Sequence, residues 1–158
     1  MSLMRAQVRI LLVEDNPGDA WIIEDSIRQH SPLYGRGGEV EILTEGESAM
    51  KRIGELGEPG SADGFDLLIA DLNLPLVSGG GGGGAWRGSK HSAQPVIVVT
   101  SSTAHLDMLA AEERQGMFYF QKPMDLEQYT QIGKLVQTVL DSSMATQPRS
   151  IWSNRSAG

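Results

Sequence analysis

Cysteine is absent from this chain of 158 residues, which excludes a disulfide scaffold, a thiolate metal site and cysteine catalysis. Long apolar runs are missing as well. No stretch approaches the roughly 18 residues of a membrane-spanning helix, and the first residues carry no signal-peptide core. Basic residues are outnumbered, 13 against 20 acidic ones, so the net charge is −7. We therefore expect a cytoplasmic protein that binds neither membranes nor nucleic acid, since a duplex attracts a basic face.

Glycine is the residue in excess, with 19 copies, and six of them form one uninterrupted run over residues 79–84. Outside that run the glycine content is close to the usual share of about 7%. The apolar fraction of 40% and the charged fraction of 21% are ordinary for a globular protein. The composition therefore predicts a globular domain with one unusual loop.

Short apolar runs alternate with segments of helical periodicity along the chain. Five runs have the length and composition of strands, at residues 8–13, 39–43, 67–70, 96–99 and 117–120. Apolar residues recur at helical spacing over residues 19–30, 47–56, 104–115 and 126–139. Asn16 is suited to cap the first helix, and Pro17 to occupy its first position.

This alternation predicts an α/β fold, a doubly wound five-stranded parallel sheet with helices on both faces. Four of the strands are largely continuous apolar runs, as in the buried centre of such a sheet. Residues 39–43 instead alternate polar and apolar, which is typical of an edge strand. The flavodoxin-like strand order 2-1-3-4-5 places the second strand at that edge.

The third helix of such a fold would follow residues 67–70, and the glycine run stands in its place. Each glycine in a helix interior costs about 0.8–1 kcal/mol relative to alanine, so six cost about 5 kcal/mol. That sum is comparable to the whole stability of a small domain. We therefore expect the third helix to be degraded or replaced by a glycine-rich loop.

Polar residues follow the predicted strands at their carboxyl ends, where open α/β sheets bind ligands. Glu14 and Asp15 follow the first strand, Asp71 ends the third, Thr100 ends the fourth, and Lys122 follows the fifth. Neighbouring carboxylates repel one another and require a cation, and oxygen ligands suit Mg²⁺. A carboxylate can also attack phosphorus to form an aspartyl-phosphate. Asp71 is the best candidate nucleophile because its strand lies between the others.

Four sequence blocks resemble the signature motifs of two-component response-regulator receiver domains. They are VRILLVEDNPGDA, DLLIADLNLP, PVIVVTSS and YFQKP, which occur in the family's order between residues 8 and 140. The first block and DLNLP are most similar to stand-alone receivers that pair with phytochrome-type histidine kinases.

The resemblance implies a part for each residue of the site. Glu14 and Asp15 would hold Mg²⁺ together with Asp71 and the carbonyl of Asn73. Asp71 would be the phosphoacceptor. The phosphoryl group would be bound by Thr100 and Lys122, and the conformational switch would run through Thr100 and Tyr119.

The resemblance also implies signalling rather than enzymatic turnover of a substrate. A histidine kinase or phosphotransfer protein would phosphorylate Asp71, and the chain would take part in this transfer and in its own autodephosphorylation. Output would be protein binding at the face made by the fourth helix, fifth strand and fifth helix, and a homodimer is compatible with it. Residues 6–141 would form the receiver, and residues 142–158 a polar, flexible tail.

Two other functions stay open on the sequence. The glycine-rich third-helix region is compatible with a degenerate receiver that binds proteins independently of phosphorylation. A phosphatase with an aspartate nucleophile is the other. That class usually places two aspartates two positions apart after its first strand, which Glu14-Asp15-Asn16 lacks.

The glycine run yields a prediction about local stability. Amide hydrogen exchange should be fast throughout residues 79–84, because no stable helix forms there. Exchange followed by NMR checks this, with residues 19–30 as the protected reference. Protection typical of a stable helix would refute it.

Overall fold

The computed structural model describes residues 8–30, 38–57, 64–71, 94–101 and 117–145. In chain order these residues form β1 (Arg9–Val13), α1 (Pro17–His30), β2 (Glu39–Leu43), α2 (Gly46–Glu55), β3 (Leu67–Asp71), β4 (Val96–Thr100), β5 (Met117–Gln121), a 3₁₀ turn (Leu126–Tyr129) and α3 (Thr130–Ala145). Each predicted strand is present within one residue of its expected bounds.

The five strands of these described ranges form one parallel sheet in the order β2-β1-β3-β4-β5. Every residue of β3 and β4 is buried, as their continuous apolar sequences predict. By contrast, β2 is partly exposed along its length, which fits its alternating sequence and its place at the edge. The predicted strand order is confirmed.

Helices cover both faces of this sheet, and alternate strand residues point to opposite faces. On one face Ile10 and Leu12 pack into a core with residues of α1 and α3. On the other face Leu11 and Val13 pack into a core with residues of α2. The predicted doubly wound arrangement is therefore confirmed in the described part of the chain.

Helices α1 and α3 are in close contact at Ser26 and Gly133. The Ser26 hydroxyl donates a hydrogen bond to the carbonyl oxygen of Tyr129 at 2.7 Å and accepts one from the amide of Gly133 at 3.1 Å. A Cβ at position 133 would lie 2.9 Å from the Cβ of His30 and closer still to the Ser26 carbonyl oxygen. Glycine is therefore required for this approach of the two helices.

Several predictions concern residues that the structure does not describe. The third-helix region lies in residues 72–93, and the predicted fourth helix lies in residues 102–116. Most of the predicted tail lies in residues 146–158, while α3 continues through Ala145. Among the described residues, no helix is long and apolar enough to cross a membrane. The cytoplasmic location and the bounds of the domain stay predictions.

The contact between α1 and α3 predicts opposite effects for two glycine substitutions. Gly133→Ala should lower the free energy of unfolding by about 1–3 kcal/mol, because the added methyl overlaps α1. Gly54→Ala in α2 should raise it by up to about 1 kcal/mol, because a Cβ there would meet no atom within 4 Å beyond its own stretch of helix and alanine favours helix. Urea denaturation measures both changes, and a shift of the same sign in both variants would contradict the prediction.

Candidate functional site

The carboxyl ends of the central strands meet at one edge of the sheet. Asp71 ends β3 and Thr100 ends β4, while Glu14 directly follows β1. The amide of Lys122 donates to the carbonyl oxygen of Thr100 at 2.7 Å, so the β4–β5 ladder continues one residue beyond Gln121. The backbone thus fixes where the Lys122 side chain begins.

Glu14 is buried at this edge, with a residue exposure of 1%. Its Oε1 lies 2.9 Å from the Lys122 Nζ, and its Oε2 accepts a hydrogen bond from the amide of Asn16 at 3.1 Å. Burial raises the pKa of the Glu14 carboxyl to about 7, although Lys122 and the Asn16 amide oppose the rise. Ionised Glu14 therefore depends on a nearby cation.

The ammonium of Lys122 is that cation, and it contacts several carboxylates at once. Its Nζ lies 2.9 Å from Glu14 Oε1, 2.9 Å from Asp71 Oδ2 and 3.0 Å from Asp19 Oδ2. An ammonium has three N–H donors, and the described residues offer it three carboxylates, one for each donor. Burial alone would lower the pKa of Lys122, but the hydrogen bonds to Asp71, Glu14 and Asp19 outweigh it and raise that pKa. Lys122 therefore stays charged.

Asp19 is a residue of this site that the sequence motifs did not reveal. It is the third residue of α1, and its amide donates to the side-chain oxygen of Asn16 at 3.1 Å, as expected of the predicted cap. Its position could have pointed to it, because Asp19 lies in the first turn of a helix that begins at the site. The helix dipole also favours a carboxylate there. Its partner Lys122 is 103 residues away in sequence, so no local pattern indicates the pairing.

The acidic residues also form a group that fits a metal ion. Glu14, Asp15 and Asp71 each offer a carboxylate oxygen, and these oxygens lie within 4.8 Å of one another. Glu14 and Asp71 are buried, whereas Asp15 is exposed. Hard oxygen ligands of this kind suit Mg²⁺, Mn²⁺ or Ca²⁺. With Asp19, the carboxylates of the described site outnumber its one ammonium, so a divalent cation is electrostatically favourable there.

The remaining predicted site residues differ in how far the structure describes them. Thr100 is buried, with a residue exposure of 2%, in the strand adjacent to that of Asp71. Tyr119 pairs with Val98 and is partly buried against the core on the α2 face. Asn73 lies outside the described residues.

Comparison with known proteins identifies the family. Probable methanogenesis regulatory protein FilR2 of Methanothrix harundinacea is 32% identical over 119 residues, which cover 75% of this chain and 74% of FilR2. Response regulator Rcp1 of Synechocystis sp. is 28% identical over 119 residues, which cover 75% of this chain and 78% of Rcp1. The chain belongs to the response-regulator family. No protein-family model matches the chain.

Solved structures agree with this membership. The phosphorylated cyanobacterial phytochrome response regulator RcpA has a TM-score of 0.68 and 28% identity, with 87% of this chain and 96% of RcpA covered. The Mn²⁺-bound form of Rcp1 has a TM-score of 0.62 and 27% identity, with 89% of this chain and 97% of Rcp1 covered. This response regulator is therefore a receiver domain of two-component signalling, a class that generally accepts phosphoryl groups rather than acting as an enzyme. The resemblance seen in the four motifs is confirmed.

The buried charges predict a large effect of Lys122→Met on stability. The variant leaves Glu14 and Asp71 buried without their ammonium, and breaking a buried ion pair costs about 3–5 kcal/mol. We expect a loss near the lower end, because Glu14 can take up a proton. Urea denaturation at neutral pH measures it.

The matched control is Lys134→Met, which removes an exposed lysine of α3. It should change the free energy of unfolding by less than about 0.5 kcal/mol. Equal losses in the two lysine variants would show that the ammonium of Lys122 does not stabilise the buried carboxylates.

Proposed function

We propose that Asp71 accepts a phosphoryl group from a histidine kinase or phosphotransfer protein in the cytoplasm. The observation that carries this is the Lys122 ammonium, which lies 2.9 Å from Asp71 Oδ2 beside the acidic group of Glu14 and Asp15. Phosphoryl transfer needs mainly positioning and neutralisation of charge. A fixed carboxylate, a fixed cation and a set of oxygen ligands meet both needs.

The transfer itself is a substitution at phosphorus. A carboxylate oxygen of Asp71 forms the new O–P bond while the N–P bond of the donor's phosphohistidine breaks. The electron pair of the broken bond stays on the donor imidazole. Asp71 is 4% exposed, so its carboxylate is held by its surroundings and loses little entropy on reaching an attacking position.

The donor set favours Mg²⁺ as the metal, held by Glu14, Asp15 and Asp71 and, as the family resemblance implies, by the carbonyl of Asn73. When bound, the metal would neutralise charge on the phosphoryl oxygens. The relative Rcp1 has been solved in a Mn²⁺-bound form, which supports a divalent cation as a ligand of this chain. The metal would share with Lys122 the neutralisation of the Glu14 and Asp71 carboxylates.

Lys122 and Thr100 would bind the phosphoryl group after transfer. The carbonyl of Thr100 already accepts the Lys122 amide, so both residues are positioned by one backbone contact. The proposed switch continues from Thr100 to Tyr119 in the neighbouring strand β5. If the switch has two conformations, a ligand that makes better contacts in one of them increases the population of that conformation.

The output is binding of another protein at the face made by the predicted fourth helix, β5 and α3, which is the fifth helix of the predicted fold. A homodimer is one form that this binding can take. Residues 6–141 form the receiver, and the phosphoryl group is lost by autodephosphorylation. A receiver that acts without phosphorylation is the competing function, and the following measurement separates the two.

Incubation with a small acyl phosphate and Mg²⁺ should add one phosphoryl group to the protein, as measured by intact mass. Asp71→Asn should remove the adduct, because the amide is not a nucleophile toward phosphorus. Omission of Mg²⁺ with added chelator should reduce it strongly, because the carboxylates then repel the donor.

Asp141→Asn is the matched control, since it makes the same change at an exposed carboxylate of α3 that accepts a hydrogen bond from Gln137. It should be phosphorylated like the wild type. A wild type without an adduct, or an adduct that persists in Asp71→Asn, would overturn the proposed function.

A further inference from the structure

Asp19 contacts the Lys122 ammonium but does not belong to the group of carboxylates that fits a metal. That group comprises Glu14, Asp15 and Asp71. Asp19 Oδ2 lies 3.0 Å from Nζ, and its side chain is 28% exposed, compared with 1% for Glu14 and 5% for Asp71. Among the described contacts of Lys122, Asp19 is thus the carboxylate that stands apart from the proposed chemistry.

The other two contacts of the ammonium change during that chemistry. Glu14 would turn its charge to the metal, and the carboxylate of Asp71 would become part of an acyl phosphate. Each change weakens the attraction that now holds Nζ in place. A lysine side chain has several rotatable bonds, so an ammonium with no remaining partner would move toward solvent.

Asp19 is itself held in place by its surroundings. The cap at Asn16 fixes its backbone amide at the start of α1, and a carboxylate in the first turn is stabilised by the helix dipole. Burial raises the pKa of the nearby Tyr129 hydroxyl, and the negative charge of Asp19 adds to that rise. Tyr129 is buried in the core between α1 and α3, with an exposure of 6%.

We propose that Asp19 is a positioning residue that keeps the Lys122 ammonium at the phosphoryl site while Glu14 and Asp71 change their partners. The inference rests on the proposed function of Asp71. It gives Asp19 a part in binding the phosphoryl group through Lys122, although Asp19 lies outside the group of carboxylates that fits a metal. In this arrangement Asp19 would hold only the lysine, whereas Glu14, Asp15 and Asp71 would hold the metal.

Binding of beryllofluoride, an anionic mimic of the phosphoryl group, tests the proposal through the sign of the effect. Deleting the charge of Asp19 would by Coulomb's law alone tighten binding of an anion. If Asp19 holds Lys122, Asp19→Asn instead weakens binding, by about threefold to tenfold for one charge-assisted contact that is partly exposed. The dissociation constant is measured by ¹⁹F NMR with beryllium chloride, sodium fluoride and saturating Mg²⁺.

Three further variants separate positioning of Lys122 from a direct effect of the Asp19 charge on the anion. Asp25→Asn makes the same change elsewhere on α1, where the carboxylate accepts a hydrogen bond from Gln29, and should bind like the wild type. Asp19→Glu restores the charge and should recover most of the affinity. In a Lys122→Met background Asp19→Asn should cause no further weakening, because the residue it holds is gone.

The outcomes are distinct. Unchanged or tighter binding in Asp19→Asn, or equal weakening with and without Lys122, overturns the positioning part of Asp19 while leaving the acceptor function intact. If the wild type itself binds no beryllofluoride, the proposed function fails and this inference fails with it. Thermal unfolding of each variant, followed by circular dichroism, verifies that affinities are compared between folded proteins.

Discussion

Burial of Glu14 and Asp71 at the end of a parallel sheet is possible because the Lys122 ammonium lies 2.9 Å from each. Without a cation, two carboxylates at this depth would repel each other. The ammonium is supplied by the chain itself, from the residue after β5, whose backbone is held by the hydrogen bond from the Lys122 amide to the Thr100 carbonyl. The fold therefore places the carboxyl groups of Glu14 and Asp71 beside a cation in a position that water hardly reaches.

The contacts of the Lys122 ammonium with Glu14 and Asp71 depend on the order of the strands in the sheet. Residues that are far apart in sequence reach one edge because the paired strands are parallel and end level with one another. The sheet fixes the starting points of Glu14, Asp71 and Lys122. Helix α1 then brings the carboxylate of Asp19 to the same ammonium, so a helix and the sheet both contribute to one charge cluster.

The sequence predicted the sheet and most of the site because both depend on local signals. Continuous apolar runs predict β3 and β4, alternation predicts the edge strand β2, and parallel order then brings the strand ends together. The ion pair of Asp19 was not predicted because it depends on the phase of α1 and on the direction of a long lysine side chain. Neither property is set by the residues adjacent to Asp19. For Asn73 and the glycine run, the sequence remains the source of the prediction.

The absence of a side chain at Gly133 has a consequence that extends to the charged cluster. It allows α3 to approach α1 until the Ser26 hydroxyl joins the two helices, through the Gly133 amide and the Tyr129 carbonyl. The turn that contains Tyr129 follows soon after Lys122, and Asp19 lies two turns before Ser26 on α1. The close packing at Gly133 therefore holds against α3 the same helix that carries Asp19 to the Lys122 ammonium.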